Sequence, residues 1–390
     1  MDKRGALMAF RTLKRANIKD KKVMLRVDFN VPLDSKGKVV NDKKIRAALP
    51  TIRYIIKRNP SQLILMTSLG RPKGKVVPAL RTDNVARRLS TLLGQKVVKV
   101  DGCIGIKIPD AKIVFLENLR FYKEERSNDK AFAKKLASYG DVYVNDAFAN
   151  SHRKHASMYA ITRYLPGYAG LLVEKEIQML NNVKNPKHPF IVILGGAKVA
   201  DKIRLIRQFA RKADKIIIGG AMVFAFYKSQ GLEVGRSLCE GVDIAKRLHN
   251  KKIILPGTVV VAETRGAKFV NVKTVNADGI KKDQVGLDVG KASVMELGKL
   301  IKKARTIFWN GPLGMFEKRP FDKGTMMVAR MLARSKANVV IGGGDVVTAF
   351  ERANIKAGNV HLSTGGGASI EFIEGDLPAI KALEKNNKQR

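Results

Sequence analysis

Short apolar runs rich in β-branched residues recur along this chain, and helical patterns separate each run from the next. A strand, a crossover helix and a second strand form the repeating unit of a parallel sheet that is covered by helices. The alternation therefore predicts an α/β fold. The predicted strands are Val23–Phe29, Leu63–Thr67, Lys96–Val100, Ile113–Glu117 and Val142–Asn145 in the first half, and Phe190–Leu194, Lys215–Ile218, Ile253–Leu255, Thr306–Trp309 and Asn338–Ile341 in the second.

A length of 390 residues favours about two domains, at one domain per ~150 residues. We expect two doubly wound, Rossmann-like parallel-sheet domains that are joined by a hinge helix at residues 171–182. The first domain is expected to cover residues 1–170, with the C-terminal segment 376–390 packed back on it, and the second to cover residues 183–375. The clearest helical patterns are Ile45–Arg58, Lys130–Ser138, Asp201–Lys212 and Thr325–Ala333.

The residues that follow the predicted strands differ between the two halves. In the second half the strands end in glycine-rich turns, at Gly195-Gly196, Gly219-Gly220 and Gly342-Gly343-Gly344. In the first half they are followed by polar and basic residues, which include Asp28, Asn30, Arg71, Arg120 and Arg153. Ligands bind beyond the carboxyl ends of parallel strands, where glycine lets backbone N–H groups approach a phosphate and arginine grips small anions. One half therefore suits a nucleotide and the other a small acidic substrate, which points to phosphoryl transfer.

The composition limits the class of protein. The chain carries 74 Lys+Arg against 34 Asp+Glu, a formal charge of +40. This charge allows a nucleic-acid or anionic-membrane partner. The cations are spread along the chain without a basic tail, so we expect most of them to be solvent-exposed surface residues. Two cysteines, Cys103 and Cys239, favour a reducing cytoplasm. We expect no secretory signal, no metal cluster and no membrane span, because the longest uncharged apolar stretch, Ile216–Tyr227, is shorter than the ~20 residues of a spanning helix.

Familiar nucleotide motifs are missing. The sequence contains no Walker A motif, no Gly-x-Gly-x-x-Gly fingerprint and no protein-kinase catalytic loop. Nine other segments stand out instead: Arg26–Pro32, Leu69–Gly74, Glu117–Phe121, Asp141–Phe148 with His152-Arg153, Glu174–Glu176, Gly195–Lys202, Trp309–Glu317, Gly342–Asp345 and Ser363–Ser369. In this order, and over nearly the entire length, they resemble the phosphoglycerate kinase family.

The resemblance implies a reaction. Members of this family transfer a phosphoryl group reversibly between 1,3-bisphosphoglycerate and ADP in glycolysis, with Mg²⁺ and in a cleft that closes between two domains. We therefore expect a cytoplasmic, monomeric kinase whose substrates are 3-phosphoglycerate or 1,3-bisphosphoglycerate and ADP or ATP. A nucleic-acid partner is not required for this activity.

The resemblance also implies which residues bind the acid. Asp28 and Asn30 would hold the hydroxyl and carboxylate of the glycerate. The carboxylate and the phosphate that is not transferred would be clamped by Arg71, Arg120 and Arg153. The implied substrate set further includes Phe29, Lys44, Ser68, Leu69 and Gly70.

The nucleotide site follows in the same way. Lys202 would contact nucleotide phosphates, Glu317 the ribose, and Asp345 the Mg²⁺ that the nucleotide carries. The group in transfer would be surrounded by Lys44, Lys198 and the amides around Gly343 and Gly366, which form the implied catalytic set. The implied nucleotide set also includes Lys198, Gly342, Gly343, Gly344 and Val346.

Three positions depart from the family pattern. Lys44 replaces an arginine, which keeps the charge but loses the planar fork that can hold two oxygens. Arg46 cannot readily take its place if the segment is helical, because residues two apart face different sides. Ser68 stands where a histidine is usual, and Val346 replaces a threonine, so that a hydroxyl is lost while the backbone N–H remains. We expect activity, slowed by these changes.

Two other functions are weighed against the kinase. A catalytically weakened paralogue could act as a basic protein that binds nucleic acid or another anion, and it would show binding that falls steeply with salt. The retained Asp28, Arg120, Arg153, Lys202 and Gly342–Asp345 argue against this alternative. A nicotinamide-dependent dehydrogenase is disfavoured because the fingerprint and its acidic ribose partner are missing.

Overall fold

The computed structural model describes residues 10–355 and 357–389, so residues 1–9, 356 and 390 of the predicted domains lie outside it. The chain divides into two compact units. One unit runs to Gln178 and includes the chain from Gly375 onward, and the other is Met179–Glu374. Among the described residues, no helix is both long enough and apolar enough to cross a membrane.

The first unit is built on a sheet of six parallel strands. Their bounds are β1 Lys22–Arg26, β2 Gln62–Met66, β3 Val98–Lys99, β4 Ile113–Phe115, β5 Val142–Asn145 and β6 Gly167–Ala169. The strand order is β3-β4-β2-β1-β5-β6, and every neighbouring pair is parallel. All carboxyl ends therefore lie at one edge. The central strands are covered on both faces, which is why they read as nearly continuous apolar runs.

The second unit contains two sheets. Its strands are β7 Phe190–Leu194, β8 Lys215–Ile218, β9 Ile253–Ile254, β10 Thr258–Arg265, β11 Lys268–Asn276, β12 Gln284–Val289, β13 Thr306–Asn310, β14 Asn338–Gly342 and β15 Val360–Leu362. Six of them form a parallel sheet in the order β15-β14-β13-β7-β8-β9. The predicted α/β class with two parallel sheets is thus confirmed. The other three form an antiparallel sheet, β11-β10-β12, that the strand pattern did not predict.

Helices cover both parallel sheets. Their bounds are α1 Lys43–Lys57, α2 Asp83–Leu93, α3 Lys123–Ser127, α4 Lys130–Ala137, α5 Leu171–Lys184, α6 Ile203–Lys212, α7 Val223–Ser229, α8 Val242–Arg247, α9 Lys291–Lys303, α10 Lys323–Arg334, α11 Gly344–Arg352, α12 Gly367–Glu374 and α13 Pro378–Gln389. The four predicted helices correspond to α1, α4, α6 and α10, with ends that differ by at most two residues. The unit boundary after Gln178 falls inside α5, and the hinge role of residues 171–182 stays a prediction.

The C-terminal helix α13 packs on the first unit. The side chain of Asn386 accepts a hydrogen bond from Gly167 N (2.7 Å) and donates to the carbonyl oxygens of Thr162 (2.6 Å) and Leu165 (3.1 Å). Ala379 N also donates to Ser151 O at 3.1 Å. These bonds satisfy backbone groups beside the edge strand β6, so α13 completes this side of the unit.

Several strands end earlier than the apolar pattern predicts. The predicted strand Val23–Phe29 stops at Arg26, because Phe29 N donates to the side-chain hydroxyl of Thr67 (3.0 Å) instead of to a neighbouring strand. The predicted strand Ile113–Glu117 stops at Phe115. These early ends place Asp28, Phe29 and Asn30 in a loop at the carboxyl edge of the sheet.

Candidate functional site

Polar side chains tie together the loops that follow β1 and β2. Asp28 Oδ1 accepts a hydrogen bond from Asn30 N (3.2 Å), and Asn30 Oδ1 accepts one from Gly70 N (2.9 Å). Phe29 and Leu69 have their side chains in the core, and the Phe29 ring stacks on Phe115 with centroids 6.1 Å apart. At the predicted acid site, Phe29 and Leu69 can therefore contact a ligand only through their backbone groups.

Lys44 lies in the first turn of α1 and reaches the same loop. Its Nζ is 2.7 Å from Asp28 Oδ2. Arg46, two residues further on, pairs with Asp42 instead, with Nε 2.9 Å from Oδ1. Both residues are in a helix, so Arg46 faces a different side from Lys44 and cannot readily replace it. Lys44 is thus the cation that α1 directs toward Asp28.

Arg26 is fully buried at the end of β1, and the candidate residues did not include it. Its guanidinium donates to Ser157 Oγ (3.1 Å), to Ser68 Oγ (3.1 Å) and to the carbonyl oxygen of Val27. The sequence signal for Arg26 was a charged residue at the end of an apolar strand. Such a position suggests a functional residue, because buried charges are usually paired or functional. The hydroxyl of Ser68, predicted to bind substrate, is in this structure a partner of Arg26.

A buried carboxylate accompanies Arg26. Glu125 accepts hydrogen bonds from Ser157 N (2.9 Å) and Ser157 Oγ (2.7 Å), so that Ser157 links Glu125 to Arg26. Burial raises the pKa of Glu125, although Arg26 opposes the shift. His155 Nδ1 lies 3.7 Å from Glu125 Oε1, and burial together with the neighbouring arginines lowers the pKa of His155 to about 3. His155 is therefore neutral at pH 7.

Arg120 brings a second guanidinium to this edge. Its Nη1 donates to Gly70 O (2.7 Å), and its backbone N donates to Asn118 Oδ1 (3.1 Å). Burial, together with the charges of Arg26 and Arg153, lowers the pKa of Arg120 to about 10. We call Arg26, Arg120 and Arg153 the arginine cluster. Their mutual repulsion makes this edge a favourable place for an anion.

The remaining predicted arginines are on the surface of the first unit. Arg71 and Arg153 are both exposed and follow strands β2 and β5. Their guanidinium groups are thus accessible to a ligand in solution. An arginine fork matches the geometry of carboxylate and phosphate oxygens, which suits these positions to an acidic substrate.

The glycine-rich turns of the second unit pack directly on one another. A Cβ atom at Gly195 would lie 1.9 Å from Pro312 O, and one at Gly311 would lie 2.1 Å from Gly195 O. These two glycines are therefore required by close backbone approach between the ends of β7 and β13. At Gly344 and Gly366, by contrast, an added Cβ would meet nothing within 4 Å. The space beside these last two is open to a ligand.

Lys202 is held at the centre of these turns. Its Nζ donates to Asn310 Oδ1 (2.5 Å), and Asn310 Nδ2 donates to Gly342 O (2.9 Å). Burial lowers the pKa of Lys202, and the carboxylates of Asp201 and Asp345 oppose the shift. Asn310 was part of a recognised motif but was not among the predicted site residues. It orients the ammonium group toward the end of β14.

Lys198 is placed differently. Its exposed ammonium lies 2.9 Å from Glu240 Oε2, and this pair raises the pKa of Lys198. Helix α6 begins at Ile203, so Lys198 and Lys202 do not share a helix face. The structure brings Lys202, but not Lys198, into contact with the turns that follow β13 and β14.

A cavity of about 330 Å³ opens beside the turns of the second unit. Glu317 and Asp345, both predicted nucleotide residues, line it together with Gly196, Gly220 and Pro312. Residues outside the prediction complete the wall, and these include Phe224, Leu238, Leu287, Asp288 and Met315. An apolar cavity with a few polar groups at its edge is the usual form of a small-molecule site.

The first turn of α11 adjoins this cavity. Asp345 is exposed there, whereas the side chain of Val346 is fully buried in the core with Ile341 and Phe350. Gly343 precedes the helix with φ +96°, a conformation that favours glycine. The free backbone N–H groups at such a helix start favour an anion. Val346 can contribute its backbone there, but not its side chain.

Comparisons with known proteins agree along most of the chain. A family model described as phosphoglycerate kinase matches residues 13–376. Proteins named phosphoglycerate kinase from Prosthecochloris aestuarii and Synechococcus elongatus are each 46% identical to this chain over 96% of its length, and the matches cover 100% and 98% of those proteins.

Two solved structures are also similar. The phosphoglycerate kinase of Coxiella burnetii matches with a TM-score of 0.89 and 35% identity, over 98% of this chain and 100% of that one. The phosphoglycerate kinase of Pyrococcus horikoshii matches with a TM-score of 0.82 and 30% identity, over 97% and 100% of the two chains.

Proposed function

The chain belongs to the phosphoglycerate kinase family and is an enzyme that transfers a phosphoryl group reversibly between 1,3-bisphosphoglycerate and ADP, and we propose that its first unit binds the acid and its second unit the nucleotide. The observation that carries the proposal is the arginine cluster at the carboxyl edge of the first sheet, together with the glycine-lined cavity at the same edge of the second. These are the two kinds of anion site that the two substrates need.

In the first unit, the acid is proposed to bind between Asp28 and the arginines. Asp28 and Asn30 would accept and donate hydrogen bonds to the glycerate, and Arg71, Arg120 and Arg153 would bind its carboxylate and its remaining phosphate. Support comes from the hydrogen bonds that fix the loops after β1 and β2, because a pre-organised site loses little entropy on binding. Arg26, buried behind Ser68, adds positive charge without reaching the surface.

In the second unit, the nucleotide is proposed to occupy the 330 Å³ cavity. Lys202 would contact its phosphates, Glu317 its ribose, and the backbone of Gly342–Val346 its terminal phosphate. The position of Glu317 and Asp345 on the wall of the same cavity supports this arrangement. Lys198 and Gly366 are proposed to act on the group in transfer.

The proposed chemistry is electrostatic. Charge spreads over the equatorial oxygens of a phosphoryl group in transfer, so fixed cations and amide dipoles lower its energy. Lys44 would supply one such cation, and the backbone N–H groups around Gly343 and Gly366 would supply dipoles. The attacking oxygen belongs to a carboxylate or a phosphate and is already anionic, so no general base is needed.

Mg²⁺ is part of the proposal. Among the described residues, no group of three His, Cys, Asp or Glu side chains is placed to hold a metal ion. Mg²⁺ is usually bound by one or two protein carboxylates plus the phosphates of a substrate. The exposed carboxylate of Asp345 beside the cavity fits this kind of site. A bound Mg²⁺ would neutralise charge on the nucleotide phosphates.

A monomeric enzyme in the cytoplasm completes the proposal. The support for this location is the glycolytic reaction together with two cysteines, Cys103 and Cys239, that are both free thiols in the structure. The comparisons give no support to the alternative of a non-catalytic basic protein that binds nucleic acid.

A coupled assay with 3-phosphoglycerate and Mg-ATP tests the proposed function. We expect turnover that depends on both substrates and falls strongly in Arg153→Ala. Arg163→Ala, which removes another exposed arginine of the first unit, serves as the matched control and should retain activity. Turnover of the unmodified chain no higher than that of Arg153→Ala would contradict the proposal.

A further inference from the structure

A second concave surface of the first unit is strongly basic. It has a volume of about 560 Å³ and lies between the segment before α1, the first turn of α1 and one face of α2. Five cationic side chains line it: Lys38, Lys43, Arg46, Arg87 and Arg88. One carboxylate, that of Asp42, accompanies them. We call this surface the basic groove.

The basic groove is separate from the acid site proposed above. None of the residues that line it belongs to the arginine cluster or to the acid-site segments 28–30 and 68–71. Lys43 and Arg46 line the groove, while Lys44 between them contacts Asp28. Successive residues of a helix face different directions, so the first turn of α1 presents cations on two sides.

Hydrogen bonds fix the positions of two arginine side chains in the basic groove. Asp42 Oδ2 accepts hydrogen bonds from Arg88 at 2.6 and 2.9 Å, and Asp42 Oδ1 accepts one from Arg46 at 2.9 Å. Asn84 Nδ2 donates to Gly37 O (2.6 Å), which fixes the loop on α2. The single carboxylate is thus used to orient two guanidinium groups.

Lys38 and Arg87 differ from Arg46 and Arg88 in this respect. Among the described residues, no carboxylate forms an ion pair with the exposed side chain of Lys38 or of Arg87. Asn84, Arg87, Arg88 and Thr91 share one face of α2, because their spacing of three to four residues repeats with the helix turn. The groove therefore has an excess of positive charge and several unused donors.

We propose that the basic groove is a second anion site that binds a small molecule carrying several phosphate groups. Arginine and lysine donors match phosphate oxygens, and the volume is in the usual range for small-molecule sites. Phe, Tyr and Trp are missing from its lining, so no side chain there can stack on a base. Base stacking is a main source of affinity for single-stranded nucleic acid, and a polyphosphate is therefore favoured over RNA or DNA. The inference does not rest on the proposed function.

Calorimetric titration with inorganic tripolyphosphate tests the proposal. Saturating 3-phosphoglycerate and ADP are present, to occupy the two substrate sites. We expect the unmodified chain to bind tripolyphosphate under these conditions. The double variant Lys38→Ser/Arg87→Ser should bind it on the order of tenfold more weakly or worse, because a hydrogen bond to a charged group contributes enough for about a tenfold change.

The control is Lys112→Ser/Arg163→Ser, which removes the same charges from exposed positions of the same unit. It should bind tripolyphosphate as the unmodified chain does. All four side chains are exposed, so both variants should fold, and thermal melts check this. Equal weakening in both variants would show general attraction to a basic surface and overturn the proposal. Loss of all tripolyphosphate binding when both substrates are present would overturn it too, because the anion would then use only the substrate sites.

Discussion

Lys44 and Asp28 are joined by a hydrogen bond of 2.7 Å between Nζ and Oδ2. This contact links the first turn of α1 to the loop after β1. It holds Lys44, which replaces the arginine of the family pattern, within reach of the proposed acid site. An ammonium group keeps the positive charge but cannot bind two oxygens in one plane.

We predict that Lys44→Arg raises turnover by about tenfold, a part of the 10³–10⁵ that a well-placed arginine contributes to phosphoryl transfer. Lys44→Met should lower turnover, because the charge is lost. The coupled assay measures both. Arg46→Lys is the control on the same helix and should leave turnover unchanged. An unchanged rate in Lys44→Arg would mean that another cation stabilises the group in transfer.

A variant of Val346 tests whether the side chain of this residue, and not only its backbone, reaches the nucleotide. Its side chain is fully buried in the core, so a hydroxyl added there has no access to the cavity. We predict that Val346→Thr leaves the affinity for ADP unchanged and lowers the free energy of unfolding by about 1–3 kcal/mol, the cost of burying a hydroxyl that lacks a partner. Calorimetric titration and denaturant unfolding measure the two quantities. Tighter ADP binding in the variant would show that residue 346 does reach the nucleotide.

Ser68 offers a test of how the acid site is held together. Its hydroxyl accepts a hydrogen bond from the buried guanidinium of Arg26. We predict that Ser68→Ala lowers the free energy of unfolding by about 1–3 kcal/mol, because one donor of a buried charge loses its partner. Ser127→Ala, at an exposed hydroxyl of the same unit, is the control and should unfold as the unmodified chain does. Equal stability of Ser68→Ala and the unmodified chain in urea would contradict the prediction.

Stability should depend on pH through Asp146, the buried carboxylate at the start of α5. Its Oδ1 accepts a hydrogen bond from Leu172 N (2.9 Å), its Oδ2 has no partner, and burial raises its pKa to about 7. The folded state thus retains a proton that the unfolded chain releases above about pH 4. The stabilisation is complete below that pH and is lost as the pH rises through about 7, so the free energy of unfolding should fall by roughly 1–4 kcal/mol over this range.

Denaturant unfolding between pH 4 and 8 measures this effect. In Asp146→Asn the fall with rising pH should be smaller, because the titrating group is gone. Asp110→Asn, at an exposed carboxylate of the same unit, should keep the slope of the unmodified chain. Identical slopes in all three proteins would rule out Asp146 as the source. Burial also raises the pKa of Asp288 to about 7, so some fall should remain in Asp146→Asn.

The sequence was sufficient to predict the parallel sheets, since their buried strands are short apolar runs between helices. It did not reveal the antiparallel sheet, because β11 is largely exposed and carries lysines. In addition, β10 to β12 follow one another with one short 3-10 helix, Ala277–Gly279, and no α-helix between them. Strands β6 and β15 were missed because neither is a run of β-branched apolar residues. β6 contains glycine and alanine, and β15 has a histidine at its centre.

Many residues of the candidate site could be predicted from the sequence, but the contacts between them could not. Motifs place Asp28, Arg120 and Lys202 at strand ends, but the bonds that fix them join residues far apart in sequence. Arg26 to Ser157 and Lys202 to Asn310 are examples, separated by 131 and 108 positions. Hydrogen bonds between residues this far apart depend on the packed fold, so a local sequence pattern cannot predict them.

The central claim is that acid and nucleotide bind to different units. Calorimetric titration of Arg120→Ala and Lys202→Ala with 3-phosphoglycerate and with ADP tests it most directly. We predict that Arg120→Ala weakens 3-phosphoglycerate binding by about tenfold or more and leaves ADP binding unchanged, while Lys202→Ala does the reverse, since each variant removes a charged contact of about 1.5–3 kcal/mol from one site only. If either variant weakened both ligands equally, or if Arg120→Ala weakened ADP alone, the assignment of the two sites would be contradicted.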